Sequence, residues 1–404
     1  MSTSFLYHAF GIRGYKHVST SYDEGKVTFK IHQRKTDLCC PECGSREVVC
    51  KGTVTRSFRA VPIGLKPVFI VLAVQRVFCR ACNALKQVQT GFADRRRSYT
   101  RQFERYVLEL SKKMTIQDVA EHLKVSWDVI KDIQKRNLTR RFSRPKLRKL
   151  KQIAIDEICI GHGPQYLTVV LDLRSGAVVF VGDGKGAEAL EPFWKRLKAS
   201  RAQLQAVATD MSPAYISAVR DNLPGVALVF DHFHIVKLYN EKLSNLRRRL
   251  YREACSKGDK DVIKGTRWLL LKNPENLDED RNELQRLEKA LELNKPLATA
   301  YYMKEELRLL WSQPDKQKAY EFLIDWIYRA GSSGIDMLRR FAKTLATHLD
   351  GILAYYDHRI STGPLEGTNN KIKTMKRQAY GFRDTEFLKL KIMGIHATRY
   401  ALVG

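Results

Sequence analysis

Gln152-Ile-Ala-Ile-Asp156-Glu157, Ala206-Val-Ala-Thr-Asp210 and Val226-Ala-Leu-Val-Phe-Asp231 are three short apolar runs, each ending in acid. Apolar runs of this length suit strands covered on both faces. Between the first two lie Tyr166-Leu-Thr-Val-Val-Leu-Asp172 and Ala177-Val-Val-Phe-Val181, a hairpin around Arg174-Ser-Gly176, and then a helix from Ala187 to Lys198. Pro213 to Asn222 reads as a second helix. The order is therefore βββαβαβ.

A first strand flanked by a hairpin on one side, and joined by a right-handed crossover to a parallel neighbour on the other, is the ribonuclease H arrangement. Its first and fourth strands lie side by side. Asp156 and Asp210 would then emerge from one carboxyl edge, where open α/β sheets place their sites. Two carboxylates that close repel unless cations lie between them, and hard oxygen donors suit Mg²⁺ or Mn²⁺. The plainer alternative is two unrelated aspartates capping the helices that come after them. A third acid is offered by Thr362-Gly-Pro-Leu-Glu366-Gly-Thr-Asn-Asn-Lys-Ile-Lys-Thr-Met-Lys-Arg-Gln-Ala379, a turn followed by a helix. Leu365, Thr368, Ile372, Met375 and Ala379 share its inner face, and Glu366, Asn370, Lys373 and Arg377 the outer one. That outer stripe reads as a metal ligand with phosphate contacts, or as a solvated face.

The 134 residues between Asp231 and Glu366 exceed what one connection in such a sheet requires. Leu238 to Ala254, Asp261 to Leu271, Asp278 to Leu293, Pro296 to Trp311 and Gln317 to Arg329 read as amphipathic helices, so an α-helical insertion is expected. Trp268, Trp311 and Trp326 are assigned to its core. Arg247 and Arg248, in a dense basic run, are candidate DNA contacts.

Upstream, six of the eight cysteines lie between positions 39 and 82. Cys40-Pro-Glu-Cys43-Gly44 and Cys79-Arg-Ala-Cys82-Asn83 place two thiols on each of two tight turns, completing a tetrahedral Zn²⁺ shell, and Gly44 and Asn83 tolerate a left-handed backbone. With no open position, the metal is structural. A redox pair, or a register using Cys39 or Cys50, remains the alternative. The strand-like Pro67 to Phe78 would carry the second turn on a hairpin. Cys159 and Cys255 are expected to be buried apolar residues.

Residues 99–113 suit one helix, and Thr115 to Ile133 two more, broken near Lys124 to Ser126. Val119, Ala120 and Leu123 share one face, Ile130 and Ile133 another, Val125 fills the turn and Ser126 caps the second helix of the pair. This reads as a helix-turn-helix or as an ordinary helical hairpin, with Lys124 where a turn glycine is usual. Arg95, Arg96, Arg97, Ser126, Trp127, Lys131, Lys135, Arg136, Arg140, Arg141, Arg144, Lys146 and Arg148 are the candidate DNA contacts around it.

The charge respects the same division. Lys and Arg number 71 against 43 Asp and Glu, a net charge of +28. Residues 1–150 hold 31 basic and 12 acidic residues, whereas residues 151–235 hold 8 and 9. A field concentrated at one end suits a polyanion, nucleic acid above all. No apolar run approaches the roughly 18 residues of a membrane span. The first residues lack the pattern of a secretory signal, so a cytoplasmic chain with reduced thiols is expected.

Taken together, the Cys-x-x-Cys ribbon, the helix-turn-helix, Ile-Ala-Ile-Asp156-Glu, Ala-Thr-Asp210-Met-Ser, Asp231-His-Phe-His234 and Gly-Pro-Leu-Glu366-Gly-Thr-Asn-Asn resemble the bacterial DDE transposases of the ISL-three insertion-sequence family along essentially the whole chain. The resemblance implies that Asp156, Asp210 and Glu366 bind two catalytic Mg²⁺ or Mn²⁺ ions. It also implies that Asp231 and His234 form an aspartate-x-x-histidine motif, with His234 near the scissile phosphate or supporting the core. Lys373 and Arg377 would meet DNA. The expected activity is binding of terminal inverted repeats, strand cleavage and strand transfer, by a homodimer or larger assembly associated with the bacterial nucleoid. The expected domains are a zinc ribbon at 1–94, a helix-turn-helix and basic linker at 95–149, and a ribonuclease H-like catalytic domain. That last domain spans 150–236, is interrupted by the helical insertion at 237–360, and is completed by helices at 361–404. The alternative function is a sequence-specific DNA-binding regulator with an inactive catalytic fold.

Overall fold

The computed structural model describes residues 5–161, 165–254, 257–400 and 402–403, and the chain forms two compact units, residues 1–140 and 141–404. Cys255 lies outside the described residues.

The first unit opens with α1 (Phe5–Phe10), followed by β1 (Tyr15–Ser21), β2 (Val27–Gln33), β3 (Val48–Ile63), β4 (Lys66–Cys79) and β5 (Leu85–Gln87). The expected hairpin is present as β3 and β4, paired antiparallel along nearly their full length. It sits in a larger sheet of order β1-β2-β4-β3, with β5 beside β4. Neither β1 nor β2 was expected, although β2 alternates buried Val27, Phe29 and Ile31 with polar Thr28, Lys30 and His32, the mark of a half-covered strand. β1 is largely exposed, so its residues lack the apolar alternation that marks a covered strand. Phe10, Phe58, Val68, Ile70 and Leu72 form the core on the sheet.

α2 (Arg101–Leu110), α3 (Ile116–Leu123) and α4 (Trp127–Phe142) come next. They bury Phe103, Val107, Val119, Leu123, Ile130 and Ile133 against one another. The break between α3 and α4 is written locally. Thr115 and Asp118 form a capping box, and Lys124 ends α3 in the left-handed conformation, φ 52° and ψ 51°. The position needs a left-handed backbone, and lysine adopts it in place of glycine. Sheet and helices are stitched together by Arg59 on β3, which is 8% exposed and donates from Nη2 to the carbonyl of Leu123 at 2.7 Å.

The second unit carries β6 (Gln152–Cys159), β7 (Tyr166–Asp172), β8 (Val178–Asp183), β9 (Ala206–Thr209) and β10 (Ala227–Phe230), with α5 (Glu191–Ser200) before β9 and α6 (Pro213–Asn222) after it. The sheet order is β10-β9-β6-β7-β8. β6 pairs antiparallel with β7 and parallel with β9, and β9 pairs parallel with β10, so the first and fourth strands of this unit are neighbours. Ile153, Ile155, Val170, Leu190, Phe193, Trp194, Val207 and Tyr215 build the core between the sheet and α5 and α6. Each large apolar side chain fully covered there contributes about 1.5–3 kcal/mol.

From β10 the chain turns wholly helical: α7 (His232–Glu253), α8 (Lys257–Lys264), α9 (Arg267–Leu271), α10 (Glu283–Leu293), α11 (Lys295–Arg308), α12 (Lys316–Ser332), α13 (Asp336–Thr347) and α14 (Leu349–Leu353). Tyr239, Leu243, Leu307, Leu323, Trp326, Phe341 and Leu345 are its core. α7 begins six residues earlier than Leu238, because Asp231 stands at its N-cap and Ile235 already lies on the face that Tyr239, Leu243 and Leu246 continue. α13 and α14 lie beyond the expected helices, although Leu338, Phe341, Ala342 and Leu345 hold helical spacing. Two further expectations fail. Trp268 is 65% exposed with the Arg267 guanidinium 4.7 Å above its ring, and Cys159 is exposed at the end of β6. α15 (Gly363–Gln378), α16 (Thr385–Met393) and α17 (Ala397–Tyr400) complete the unit. Among the described residues no helix is long and apolar enough to cross a membrane.

Candidate active site

The ends of β9 and β10, and the middle of the longer β6 beside them, set the first acids in a row. The register pairs Ala154 with Ala208 and Thr209 with Phe230. Extended by two residues and by one, it places Asp156 beside Asp210 and Asp210 beside Asp231, across strands about 4.8 Å apart. Asp156 is partly buried, and its Oδ1 accepts the Glu157 amide N–H at 2.8 Å. Burial pushes its carboxyl up to about 6; the charges of Glu157 and Asp210 add to this, while His234 and the Glu157 amide oppose it. Glu157 is also raised, first by burial and then by Asp210. Asp210 Oδ1 accepts the Ser212 amide at 3.0 Å and so shapes the turn into α6. Asp210 thus shapes the turn ahead of α6 without capping the helix, whose N-cap is Ser212.

α15 reaches this edge through two hydrogen bonds. Asp231, 1% exposed, accepts at Oδ2 from the hydroxyl of Thr362, which precedes the helix by one residue. About two turns further on, Asn369 Nδ2 donates to Asp156 Oδ2 at 2.8 Å. Leu365, Thr368 and Ile372 are buried beneath the helix as its spacing requires, and the Lys376 ammonium donates to the carbonyl of Ile160. Met375 is only partly buried and Ala379 is exposed, so the inner face fades toward the C-terminus. Glu366 lies in the first turn, exposed, between the two pins. Asn370, Lys373 and Arg377 are exposed, as the stripe predicts.

Close packing holds the base of the row. Gly351 on α14 approaches the Phe230 ring so nearly that a Cβ there would meet it at 2.3 Å. Phe230 immediately precedes Asp231. The second Asp231 oxygen faces His232 Nδ1 at 3.3 Å, and the His232 ring packs against Trp311 at 5.6 Å. Asp231 is therefore buried behind the edge, tying β10 to α15. His234 is partly buried in the first turn of α7, near enough for its charge to act on Asp156.

Asn369, Thr362, Glu157 and Tyr215, whose hydroxyl lies 3.1 Å from Thr168 Oγ1, are site residues that sequence reasoning misses. Asn369 was legible: it follows Leu365 by four residues and precedes Ile372 by three, which places a polar residue on the inner face. The donor set fits a hard divalent cation. It offers carboxylate oxygens, and Asn369 Oδ1, buried on the residue that holds Asp156, has no hydrogen-bond partner.

The cysteines form a tighter group. Cys40 and Cys82 sulfurs are 3.6 Å apart, those of Cys43 and Cys79 3.5 Å, and all four lie within 4.8 Å of one another. Gly44 and Asn83 are left-handed, φ 76° and 56°. The Cys43 and Glu42 amides draw the Cys40 thiol down to about 7, while at Cys43 and Cys82 the Ser45 and Ala84 amides are outweighed by the neighbouring sulfurs, which push those thiols up. Cys39 and Cys50 are exposed and outside the set. Among the described residues this is the one group of three or more His, Cys, Asp or Glu ligands drawn so close; the carboxylates at the sheet edge are spread more widely.

The basic candidates divide. Arg95, Arg96, Ser126, Trp127, Arg140, Arg141, Arg144, Lys146 and Arg148 are exposed, and Lys131 lies 5.1 Å from the Trp127 ring. Lys135 is partly buried. Arg97 is instead paired with Asp132 at 2.9 Å, and Arg136 with Glu104 at 2.7 Å. Arg97 thus ties the segment before α2 to α4, and Arg136 ties α4 to α2. Arg247 donates to the carbonyls of Ile263 and Lys264 at the end of α8, while Arg248 is exposed and donates to Asn245 at 2.8 Å.

Three family models match along the chain: a transposase domain of the DDE type in family ISL3 over residues 153–392, a helix-turn-helix domain of transposase family ISL3 over 88–136, and a zinc-finger of the IS204/IS1001/IS1096/IS1165 transposases over 37–82. This chain belongs to the ISL3 family of DDE transposases. It is 32% identical to the transposase for insertion sequence element IS1001 of Bordetella parapertussis, over 94% of each chain. It is 28% identical to the transposase for insertion sequence element IS1557 of Mycobacterium tuberculosis, over 91% of this chain and 87% of that one. A Drosophila P element transposase strand transfer complex aligns with 74% of this chain and 92% of that one at 12% identity and a TM-score of 0.37, too loose a likeness to carry an argument. The transposase binds DNA and catalyses strand cleavage and strand transfer with divalent metal ions. Its cysteine group is a structural zinc site.

Proposed function

We propose that Asp156, Asp210 and Glu366 are the three metal-binding acids, and that the transposase uses them on the terminal inverted repeats of its insertion sequence. One observation carries the reading: Asn369–Asp156 and Thr362–Asp231 pin α15 to the edge where Asp156 and Asp210 stand together, with Glu366 between the pins. The divalent ions, when bound, polarise the scissile phosphate and favour hydroxide over water. The chain's own residues orient the reactants. In cleavage a water oxygen bonds to phosphorus, the bond to the 3′ oxygen breaks, and the departing oxygen takes a proton. In strand transfer that 3′-OH loses its proton and bonds to a target phosphorus, the target's own bond from phosphorus to its 3′ oxygen breaks, and that oxygen leaves protonated. Lys373 and Arg377, exposed on the Glu366 stripe, suit the flanking phosphates, and His234, in the first turn of α7, is read as serving the reacting centre. Asp231 is read as a positioning residue, since its burial and its bond to Thr362 keep it behind the edge.

The sheet is read as ribonuclease H-like from its strand order and senses. Residues 237–360 are then its helical insertion, 150–236 and 361–404 the two parts of the catalytic domain, and 1–94 and 95–149 the zinc ribbon and the helix-turn-helix with its linker. Arg95, Arg96, Ser126, Trp127, Lys131, Lys135, Arg140, Arg141, Arg144, Lys146, Arg148 and Arg248 are the proposed DNA contacts. Bringing two ends together calls for a homodimer or larger assembly, acting on the nucleoid in the bacterial cytoplasm. The test is strand cleavage of a duplex bearing the terminal repeat, with Mg²⁺ or Mn²⁺. Asp156→Asn and Glu366→Gln are each expected to lower it by more than about 100-fold with repeat binding intact, and retained cleavage in either would overturn the three-acid assignment.

A further inference from the structure

We propose that Asn369 is a positioning residue of the acid centre, its amide N–H orienting the Asp156 carboxylate and its carbonyl oxygen accepting a hydrogen bond from a water on the cation held there. The inference rests on reading Asp156 as a metal ligand. Asn369 is 5% exposed, on the face of α15 turned to the sheet. Asp156 receives one donor at each oxygen, the Glu157 amide at Oδ1 and Asn369 Nδ2 at Oδ2, both at 2.8 Å. This fixes the carboxylate plane while leaving each oxygen a further lone pair for a cation. An ionised carboxylate only accepts hydrogen bonds, so it dictates which end of the amide faces it. That choice leaves Asn369 Oδ1 buried without a donor.

A buried acceptor without a partner is unfavourable, and leucine would fill the same space without it. The arrangement makes sense once a donor arrives with the ligand. Mg²⁺ and Mn²⁺ sites commonly keep several waters, whose hydrogens are strong donors. Oδ1 and Nδ2 share one carbon, so Oδ1 lies within a water's reach of the Asp156 carboxylate. α15 would thus read the cation as well as carry Glu366 to it.

The experiment uses the full chain, with Mn²⁺ affinity measured by electron paramagnetic resonance of free Mn²⁺ alongside repeat-duplex binding, cleavage and thermal melting. Asn369→Leu, checked to be folded by a cooperative melt, is expected to bind Mn²⁺ about 10–100-fold more weakly and to raise the Mn²⁺ needed for half-maximal cleavage by the same factor, with duplex binding unchanged. Asn369→Ala, which removes the amide without adding bulk, carries the same expectation for Mn²⁺, so poor folding of one variant leaves the other decisive. Wild-type Mn²⁺ affinity in a folded variant overturns the proposal, as does a loss of cleavage that excess Mn²⁺ does not recover. Asp156→Asn separates the two levels: if it too binds Mn²⁺ like the wild type, the fault lies with the three-acid reading.

Discussion

The cysteine site and the proposed acid site both call for metal, yet they are assembled in opposite ways. The four thiols come from two tight turns at the end of one sheet, 42 and 36 residues apart across the sulfur pairs. They close on all four positions. The acid site joins β6 to α15 across 213 residues, and β10 to the start of α15 across 131. Its ligand atoms are spread more widely, as a centre that must admit phosphate and water requires. A closed local site can be rigid through its own covalent turns, whereas an open one depends on the packing of everything between.

The largest expected effect breaks the local site. Cys79→Ser removes one ligand from a zinc site whose binding free energy is roughly 10–16 kcal/mol in small zinc domains. Zinc content and repeat-duplex binding should be lost, while the melting transition of the unit from 141 to 404 stays in place, as read by calorimetry. The distant site should give way more gradually. Thr362→Val removes the hydroxyl that satisfies buried Asp231 and is expected to cost about 1–3 kcal/mol. Chemical denaturation measures this. Repeat-duplex binding should survive and cleavage should fall, since the start of α15 is no longer held to β10.

The pH dependence of the acid site arises from Asp156. Its carboxyl is raised from an ordinary 3.8 to about 6, first by burial. A raised carboxyl favours the folded state only while protonated, so its contribution is full below about pH 4 and is lost as pH rises through 6. Without added divalent cation the second unit should lose about 1–2 kcal/mol from this group between pH 4 and 7, and Asp156→Asn should lose less. Mn²⁺ competes with the same proton, so its affinity should rise up to about tenfold per pH unit below 6 and level above 7. The smallest effect returns to the first unit. Lys124→Gly relieves a left-handed lysine and should raise stability by about 0.5–1 kcal/mol, seen as a higher melting temperature with unchanged zinc content.

The sequence was most legible where structure is short-range. The turns around Cys40 and Cys79, the capping box at Thr115 and the β3–β4 hairpin are visible because their partners are a few residues away or across one turn. Asp210 and Asp231 were visible too, since each ends an apolar run where its strand stops, whereas Asp156 lies inside β6, which runs on to Cys159. Arg97, Arg136 and Arg247 show the limit. Their basic character suggested phosphate contacts, but a guanidinium reads alike in sequence whether it meets phosphate, Asp132, Glu104 or the end of a helix. Trp268 shows it from the other side, since an apolar ring has no local mark of being left exposed.

By itself the sequence determined the parts: a thiolate site, a helix pair, an alternating sheet with acids at its edge, and a helix bearing Glu366. These are consequences of spacing and of the periods of strand and helix, which act over a few residues. Only the tertiary structure decided that Asp231 would lie behind the edge tied to Thr362, and that Asn369, one position from the stripe that drew attention, would touch Asp156. The reason is that a buried carboxylate takes whichever donor the packing delivers, and which donor arrives depends on the fold of the whole chain between them.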